Sequence, residues 1–432
     1  MRPIAPLTFG FALALVLFGT ATACGGGDAA SGGDVPWVTQ VDSTGDTVRI
    51  RITGEIPAAK VHTLVSAMEI GAEDGTEEET FGWIPTMVPA ADGGVYVYDD
   101  QASAIRQFDS SGTFVRNIGR KGGGPGEFGQ VNGLTRMYDG RFLVWDATGG
   151  RINVYSDTGA FETIWRVPFT SHFGQNMLWT DRAGRTYSWA ILERDSVDFT
   201  KGVRGVIVYD SAGTVLDSVP WPKWGEDPPS LIARSADGRS ASAYSFPFWP
   251  TSVAAVSPMG GFVSGPGDPY VLYFTGRAGA KPVRVERVTA PVPVSATERS
   301  EERAMVEFGL RRLDPKWTWT VADIPANKPA YRQFKIDRDG RVWVELSTPA
   351  EPIPEAERAP VREGDEARPR RSTRTPTVYD VFSSDGRLLG RVALPRRVTL
   401  YDAVGDAVYA VRRDSSDVEY VVRYRLEPSL PR

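Results

Sequence analysis

The glycine-rich stretch at residues 119–129, GRKGGGPGEFG, is the first place where the sequence suggests chemistry. It carries six glycines beside two adjacent cations, Arg120 and Lys121, a composition that can wrap a phosphate group. Residues 124–129 match G-x-G-x-x-G, but a dinucleotide site needs a helix directly behind the glycines, and residues 130–133 lead into a predicted strand. A Walker loop is excluded because Lys121 precedes the glycines. We interpret the stretch as a connection between pieces of sheet, with Arg120 and Lys121 as exposed cations for an acidic partner.

Histidine and carboxylate patterns supply no recognisable catalytic set. The chain has only two histidines, His62 and His172, so a three-histidine zinc site cannot be built. No G-x-S-x-G motif occurs to anchor a serine triad, and we interpret His172 as a loop or core residue. Asp337 and Asp339, in Asp-Arg-Asp-Gly, form the most distinctive acidic pair, which we interpret as a hairpin turn. No metal ligand is predicted, although calcium bound through oxygen ligands stays open.

Tryptophan offers a second kind of chemistry, which is stacking on a ligand. The chain has twelve tryptophans, and Trp221, Trp224 and Trp249 lie in proline-rich segments that are typical of surface loops. Such aromatic side chains can stack on a sugar or a peptide. Packing in the core is the alternative, and we favour it for any single tryptophan. These three remain the residues predicted for a binding face.

Residues 1–23 have the features of an export signal. Arg2 gives a positive start, residues 7–19 are mostly apolar, and small residues precede Cys24, the only cysteine. The apolar run is too short and wrongly flanked for a membrane span. The sequence Ala-Thr-Ala-Cys at residues 21–24 resembles a bacterial lipobox, with alanine where leucine is usual. The resemblance implies a lipid on Cys24, and ordinary cleavage before an unmodified cysteine is the alternative.

Residues 24–36, rich in glycine, predict a flexible tether that holds the folded body near a membrane. Gly25 follows the cysteine in place of aspartate. By resemblance to enterobacterial sorting, this favours the outer membrane, facing the periplasm or the cell surface. The formal net charge is −5, and an acidic exported chain is a poor candidate for binding nucleic acid, because phosphate contacts need clustered Lys and Arg.

The rest of the chain repeats. Residues 91–112 and 138–159 match at a constant offset of 47, including Asp99 with Asp146 and Ile105 with Ile152. Each unit has an Asp-Gly hairpin turn and short apolar strands, which together predict four antiparallel strands. Weaker copies follow, so that six units are marked by turn glycines at 93, 140, 184, 260, 340 and 405.

The sixth unit ends one strand short, and the alternating segment 46–56 is a spare strand ahead of the first unit. If that segment completes the last sheet, no edge is left exposed. The sequence therefore predicts an all-β fold over residues 37–432: a six-bladed β-propeller of four-stranded antiparallel blades, closed by an N-terminal strand in the last blade. The glycine-rich stretch then joins blade one to blade two, with Phe128 packed between them.

The quoted motifs resemble NHL repeats and the bacterial six-bladed propeller lipoproteins related to them. The likeness covers residues 90–169 and is topological beyond. Gly149 and Gly150 stand where the NHL family has its Asn-His pair, so the resemblance implies the fold better than any activity. Gluconolactonase-type propellers in this group hold a metal in the central channel, and no ligands for one can be assigned here.

Two insertions modify the predicted ring. Residues 295–313 begin with a capping box and read as a helix lying over one face. Residues 350–377 are rich in proline and in charges of both signs, and predict a disordered, solvated loop.

Three function classes follow from these patterns. A lipid-anchored binding or scaffold propeller for an envelope protein or glycan is favoured over an enzyme. The alternatives are a metal-dependent lactonase or lyase with calcium or another divalent metal in the central channel, and a structural subunit of an envelope complex.

Overall fold

Up-and-down sheets of four antiparallel strands, repeated six times around a ring, make up most of the protein. The computed structural model describes residues 37–167, 178–194, 202–358 and 367–431. Each repeat is one blade of a six-bladed β-propeller, with its first strand innermost and its fourth strand outermost.

Three strands precede the first blade, and the first half of the ring follows them. The leading strands are β1 (Val38–Asp42), β2 (Val48–Thr53) and β3 (Val61–Ile70), with a 3₁₀ turn at Ala58–Lys60. Blade one is β4 (Thr86–Pro89), β5 (Val95–Asp99), β6 (Ala104–Phe108) and β7 (Phe114–Ile118), followed by the short pair β8 (Arg120–Lys121) and β9 (Glu127–Phe128). Blade two is β10 (Val131–Arg136), β11 (Phe142–Asp146), β12 (Arg151–Tyr155) and β13 (Phe161–Arg166). Blade three is β14 (Leu178–Thr180), β15 (Thr186–Arg194), β16 (Gly202–Tyr209) and β17 (Val215–Pro220).

The second half of the ring carries three insertions. A hairpin of β18 (Leu231–Arg234) and β19 (Ala241–Tyr244) precedes blade four, which is β20 (Val253–Val256), β21 (Phe262–Gly265), β22 (Val271–Thr275) and β23 (Val283–Arg287). Helix α1 (Ala296–Arg311) precedes blade five, which is β24 (Tyr331–Ile336), β25 (Val342–Leu346), β28 (Val378–Phe382) and β29 (Leu388–Ala393), with the ribbon β26 (Glu351–Pro352) and β27 (Thr373–Arg374) and a 3₁₀ turn at Glu355–Glu357 inserted in it. Blade six is β30 (Val398–Val404), β31 (Ala407–Arg413) and β32 (Glu419–Glu427), with β3 as its fourth strand.

The predicted turn positions are confirmed by the backbone. All six turn glycines have positive φ, from +56° at Gly405 to +102° at Gly140, a region that side chains other than glycine rarely adopt. In blades one to five, this glycine donates its N–H back to the carbonyl three residues earlier. The turn from first to second strand is thus the same local structure in each of these blades.

The apolar core is divided into layers between neighbouring blades. Six clusters of buried side chains each draw on two adjacent blades, from blades one and two around to blades six and one. The second strands are therefore buried on both faces: all five residues of β5 and all five of β11 are buried. This explains why these strands read as continuous apolar runs and not as alternating ones.

The glycine-rich stretch links blade one to blade two, as predicted. Phe128 is fully buried between those blades and packs edge-on against Tyr98, with ring centroids 6.0 Å apart. Gly119 has φ of +66°, and a Cβ there would lie 2.5 Å from the Phe128 ring. The Tyr155 hydroxyl donates to the Gly126 carbonyl at 3.0 Å. The glycines serve close approach to two aromatic rings in this linker.

The two aspartates related by 47 residues hold the chain where it enters each blade. Asp146 accepts from the backbone N–H of Gly129 at 3.1 Å and pairs with Arg151 at 3.1 Å. Asp99 accepts from Gly82 N–H at 3.3 Å and pairs with a buried arginine at 3.2 Å. Both carboxylates are buried, and such charge-assisted bonds fix the entering loops at the same place in both blades.

The segment predicted to complete the last blade, residues 46–56, lies elsewhere, and that detail of the prediction was wrong. Its strand β2 pairs in parallel with β23 and widens blade four, and β1 adds outside it. The strand beside β32 is β3, in antiparallel register. Both segments alternate, so pattern alone could not separate them: Ile50 and Ile52 pack between blades four and five, whereas Met68 and Ile70 pack between blades six and one.

Helix α1 begins where the capping box predicts. The Ser295 side chain accepts from the Glu298 backbone N–H, and the Glu298 carboxylate accepts from the Ser295 backbone N–H at 3.1 Å. Glu298 also forms an ion pair with Lys328 at 2.5 Å, and Lys328 donates to the Thr348 carbonyl at 2.8 Å. Both charged side chains are buried, so this pair ties the helix to blade five.

The helix, the β18–β19 hairpin and the segment that follows the helix share a seventh apolar cluster, here named the cap. Its buried members are Leu231, Ala233, Phe246, Val306 and Leu310. None of the helices among the described residues has the length and apolar character needed to cross a membrane.

The prediction of a disordered loop at residues 350–377 was wrong for the parts that the structure describes. There β26 and β27 form a ribbon, and Glu301 of α1 accepts from the hydroxyls of Ser372 at 2.5 Å and Thr373 at 2.7 Å. Arg374 also pairs with Glu357 at 2.6 Å. The described parts of this insertion thus have partners within the insertion itself and on the helix, which composition alone could not reveal.

Replacing Phe128 by alanine should lower the free energy of unfolding by about 3–5 kcal/mol, because a fully buried ring is lost between two rigid blades. Phe161, which is 38% exposed, is the matched control, and its alanine variant should lose less than half as much. Urea titration of the full chain measures both. Equal losses would contradict the role of Phe128 as a packing wedge.

Candidate functional site

The ring has two unlike faces because of how its strands connect. In an antiparallel blade, the turn from second to third strand and the link to the next blade leave from the same end. That end, here the loop face, carries the cap and the β26–β27 ribbon. The opposite end, the turn face, carries the short first-to-second and third-to-fourth turns. Candidate binding features occur on both faces.

A polar cavity of about 400 Å³ opens on the loop face between blades one and two. Its walls combine one tryptophan with a carboxylate, amides, hydroxyls and a cation; the lining residues are Trp83, Asp100, Ser103, Lys121, Gly129, Gln130, Val131, Asn132 and Thr148. We call it the Trp83 cavity. Its volume lies within the range of small-molecule sites, about 300–1,000 Å³.

One main-chain and one side-chain hydrogen bond hold a wall of the Trp83 cavity in place. The Trp83 carbonyl accepts from the Asp100 N–H at 2.9 Å, and the Tyr98 hydroxyl donates to the Asp100 carboxylate at 2.9 Å. Asn132 lies at a β-bulge in the innermost strand of blade two, where pairing skips from Val131 to Gly133. Bulges of this kind turn a side chain out of the regular register. Asn132 itself is buried, whereas Trp83 keeps 38% of its surface exposed.

The two cations predicted for binding have different surroundings. Arg120 forms an ion pair with Glu127 at 2.8 Å and keeps 80% of its side chain exposed. Lys121 is also exposed and lines the Trp83 cavity. The glycine-rich stretch therefore contributes Lys121 and Gly129 to a candidate site.

A second cavity, of about 490 Å³, lies in the cap between the β18–β19 hairpin and α1. Tyr244, Met305 and Phe308 give it an apolar side, and Arg312 and Arg368 give it positive charge. Tyr244 is 39% exposed.

The three tryptophans predicted for a binding face are not brought together. Trp221 packs between blades three and four, against Trp179 and Phe262. Trp224 stacks on Tyr273 at 4.0 Å, and its indole N–H donates to the buried Ser264 hydroxyl at 3.1 Å.

Trp249 belongs to the cap cluster and packs edge-on against Phe246. All three indoles are partly buried. The tryptophan that lines the Trp83 cavity was missed, because the cavity is built from four chain segments that meet only in the folded ring.

The described histidine and aspartate candidates make contacts that hold the local backbone and neighbouring side chains. His62 is buried in β3, with Nδ1 2.6 Å from the Pro428 carbonyl oxygen, and His172 lies outside the described residues. Asp337 accepts from the Asp339 N–H at 3.0 Å and from the Trp343 indole at 2.8 Å. This is the predicted hairpin turn. Within the described ranges, no three His, Cys, Asp or Glu side chains group in a way that could hold a metal ion.

The turn face brings aromatic and basic side chains together across the ring. Tyr138 in blade two donates its hydroxyl to the Arg338 carbonyl of blade five at 2.9 Å. The Arg338 guanidinium carbon lies 4.7 Å from the Tyr138 ring centroid, and that of Arg182 lies 5.7 Å from it. Arg338 also donates to the Arg136 carbonyl at 2.8 Å. Blades two and five are opposite in a six-membered ring, so these contacts bridge the end of the channel.

Asp402, a carboxylate with a raised pKa, lies next to this bridge. Removal from water, together with the nearby Asp337 carboxylate, raises the pKa of Asp402 from 3.8 to about 7, although Arg338 acts in the opposite direction. The Ala403 N–H donates to Asp402 at 2.8 Å. Burial also lowers the pKa of the neighbouring Lys335. Asp402 therefore changes charge near neutral pH.

Comparison with known proteins identifies the fold. Residues 76–182 match the sequence model of a family, DUF5128, described as a 6-bladed beta-propeller; this region contains every residue that lines the Trp83 cavity. No curated protein matches the sequence.

Several solved structures resemble this chain at low sequence identity. A member of the DUF4221 family from Bacteroides vulgatus has 11% identity and a TM-score of 0.50, over 85% of this chain and 99% of its own. A Bacteroides fragilis protein named as exported has 11% identity and a TM-score of 0.47, over 88% and 99%. Virginiamycin B lyase from Staphylococcus aureus has 8% identity and a TM-score of 0.39, over 84% and 99%. At these identities the likeness concerns the fold alone.

Replacing Asp402 by asparagine should stabilise the protein more at pH 8 than at pH 5. Because the folded-state pKa is raised, the folded protein binds this proton more tightly than the unfolded chain, so stability falls as pH rises from about 4 to about 7. The variant lacks that loss, worth about 1–3 kcal/mol at pH 8. Urea titrations from pH 5 to pH 8 measure it, and a difference that does not vary with pH would contradict the assignment.

Proposed function

We propose that this chain is a lipid-anchored binding propeller of the bacterial cell envelope, and that its ligand is an envelope glycan bound in the Trp83 cavity. The observation that carries the proposal is a partly exposed indole on a polar cavity that is otherwise lined by hydrogen-bonding groups.

The composition of the Trp83 cavity fits a sugar better than an apolar ligand. A sugar ring presents C–H groups that pack on an aromatic face and hydroxyls that need both donors and acceptors. The cavity supplies the indole of Trp83, the carboxylate of Asp100, the amide of Gln130 and two hydroxyl groups. Lys121 adds a donor at a position open to solvent.

Attachment to a membrane is supported by the sequence alone. Residues 1–23 carry the export signal and Cys24 follows small residues, as in a lipobox; both lie outside the described residues. One acyl chain holds a protein weakly, and several chains hold it firmly. A tethered propeller would keep its cavity within reach of a surface-bound glycan.

The other two function classes gain no specific support from the described residues. A metal-dependent lactonase or lyase needs ligands that converge in the channel, and arginine and tyrosine side chains bridge its turn-face end. A structural envelope subunit remains an outcome of the experiments below.

Replacing Trp83 by alanine should weaken binding to purified peptidoglycan sacculi at least tenfold, because truncating an aromatic anchor costs about 1.5–3 kcal/mol. Co-sedimentation of the full chain with sacculi measures the loss. The matched control is Trp224→Phe, which keeps an aromatic ring beside Tyr273 and should bind like the native protein. Loss of binding in the control but not in Trp83→Ala would move the site to the Trp224 loop, and no binding by the native protein would reject this glycan.

Replacing Cys24 by alanine should release the protein from membranes, because no thioether lipid can form on alanine. Fractionation of cells that express each form, with mass spectrometry of the mature N-terminus, measures the outcome. Native protein in the membrane fraction with a lipid mass on Cys24 supports the proposal. Equal membrane association of both forms would contradict it without bearing on the Trp83 cavity.

A further inference from the structure

A like-charged pair on the turn face has no role in the proposed glycan site. Arg182 and Arg338 occupy the same place in their blades, the second residue of the turn that follows the innermost strand. Tyr138 occupies that place in blade two. Three blades therefore direct long side chains from equivalent positions toward the same end of the channel.

The two guanidinium groups face one aromatic ring. Their central carbons lie 4.7 Å and 5.7 Å from the centroid of Tyr138, so the ring offers partial compensation to both charges. Arg338 is half-buried and Arg182 is exposed. Tyr138 itself is 37% exposed. The group is therefore accessible from solvent.

The carboxylates nearest in sequence are engaged by other residues. Asp181, just before Arg182, is bound by Arg185 at 2.7 Å and by the Tyr187 hydroxyl at 2.8 Å. Asp337, just before Arg338, is bound by Arg341 at 2.6 Å. Across the residues that the structure describes, neither Arg182 nor Arg338 forms an ion pair.

A third arginine, Arg136, lies near Arg338. Burial and then repulsion from Arg338 lower the pKa of Arg136, while Asp157 and Asp92 act in the opposite direction. Asp402 lies near Arg338, which acts to lower the pKa of Asp402, and the Asp402 carboxylate accepts bonds from the backbone N–H groups of Ala403 and Arg338. Cations brought together without a paired anion favour an anionic ligand.

We propose that Arg182 and Arg338, which both lie against the ring of Tyr138, form an oxyanion site at the turn-face end of the channel, and that it takes a phosphate group. Guanidinium groups match phosphate oxygens with two parallel hydrogen bonds. A phosphate dianion carries enough charge to balance both arginines, whereas chloride balances only one. The site is separate from the Trp83 cavity, which opens on the other face of the ring.

Calorimetric titration of the full chain with inorganic phosphate tests the site, in chloride buffer of matched ionic strength. Arg182→Gln should lower the phosphate affinity at least tenfold, and Arg182→Lys, which keeps the charge but not the fork, should fall between. Arg239→Gln, on the β18–β19 hairpin with 87% of its side chain exposed, is the matched control and should bind like the native protein. A phosphorylated hexose distinguishes a phosphate ester from the free ion.

Thermal unfolding keeps the test independent of folding defects. In chloride alone, Arg182→Gln should melt at or above the native temperature, because repulsion is relieved; phosphate should then raise the native melting temperature and leave that of the variant unchanged. Absence of phosphate binding by the native protein would overturn the proposal. So would equal phosphate affinity of the native and Arg182→Gln proteins, which would mean that Tyr138 compensates the arginines by itself.

Discussion

Face-to-face packing between neighbouring blades is the interaction on which the rest of the molecule depends. No blade has a core of its own: each buries both faces of its sheet against the blades beside it. A single blade would leave two apolar faces in water, so the stable unit is the closed ring. The linkers between blades must therefore be short and tightly packed, and the linker at residues 119–129 meets this demand with Phe128 as its buried side chain and glycines around it.

The same constraint leaves the two ends of the blades free to differ. The turn face consists of tight turns in which an aspartate or serine side chain often accepts backbone N–H groups, as at Asp109, Asp181 and Asp337. The loop face accepts long insertions because they pack on top of the ring without entering the layers between blades. Long insertions are thus concentrated on the loop face, whereas the turn face keeps its charged side chains in a fixed geometry.

The sequence was informative where local physics decides the structure. Turn glycines and the Ser295 capping box act through neighbours close in the chain, and each has the structure that its pattern predicts. The aspartates at 99 and 146, which mark the repeat, hold equivalent backbone groups in their two blades. Patterns failed where a choice depended on distant partners: β2 and β3 both alternate, and only contacts with blades four and six separate them. The Trp83 cavity could not be predicted for the same reason, since its walls come from four separate chain segments. Lys121 was found because the composition of residues 119–129 is unusual, whereas its neighbours in the cavity lie in segments of ordinary composition.

The pairing of β3 with β32 has a consequence for how the chain reaches its final state. β3 precedes every blade in the sequence, yet its antiparallel partner β32 follows the other strands of blade six. The layer between blades six and one cannot form until β32 has been synthesised, so the growing chain carries an unfinished ring up to that point. A protein truncated even a few residues before β32 would lose the closure as well as one strand. Conversely, a single cut in an outer loop would leave the ring closed, because β3 and β32 are held together by main-chain hydrogen bonds and not by a continuous backbone.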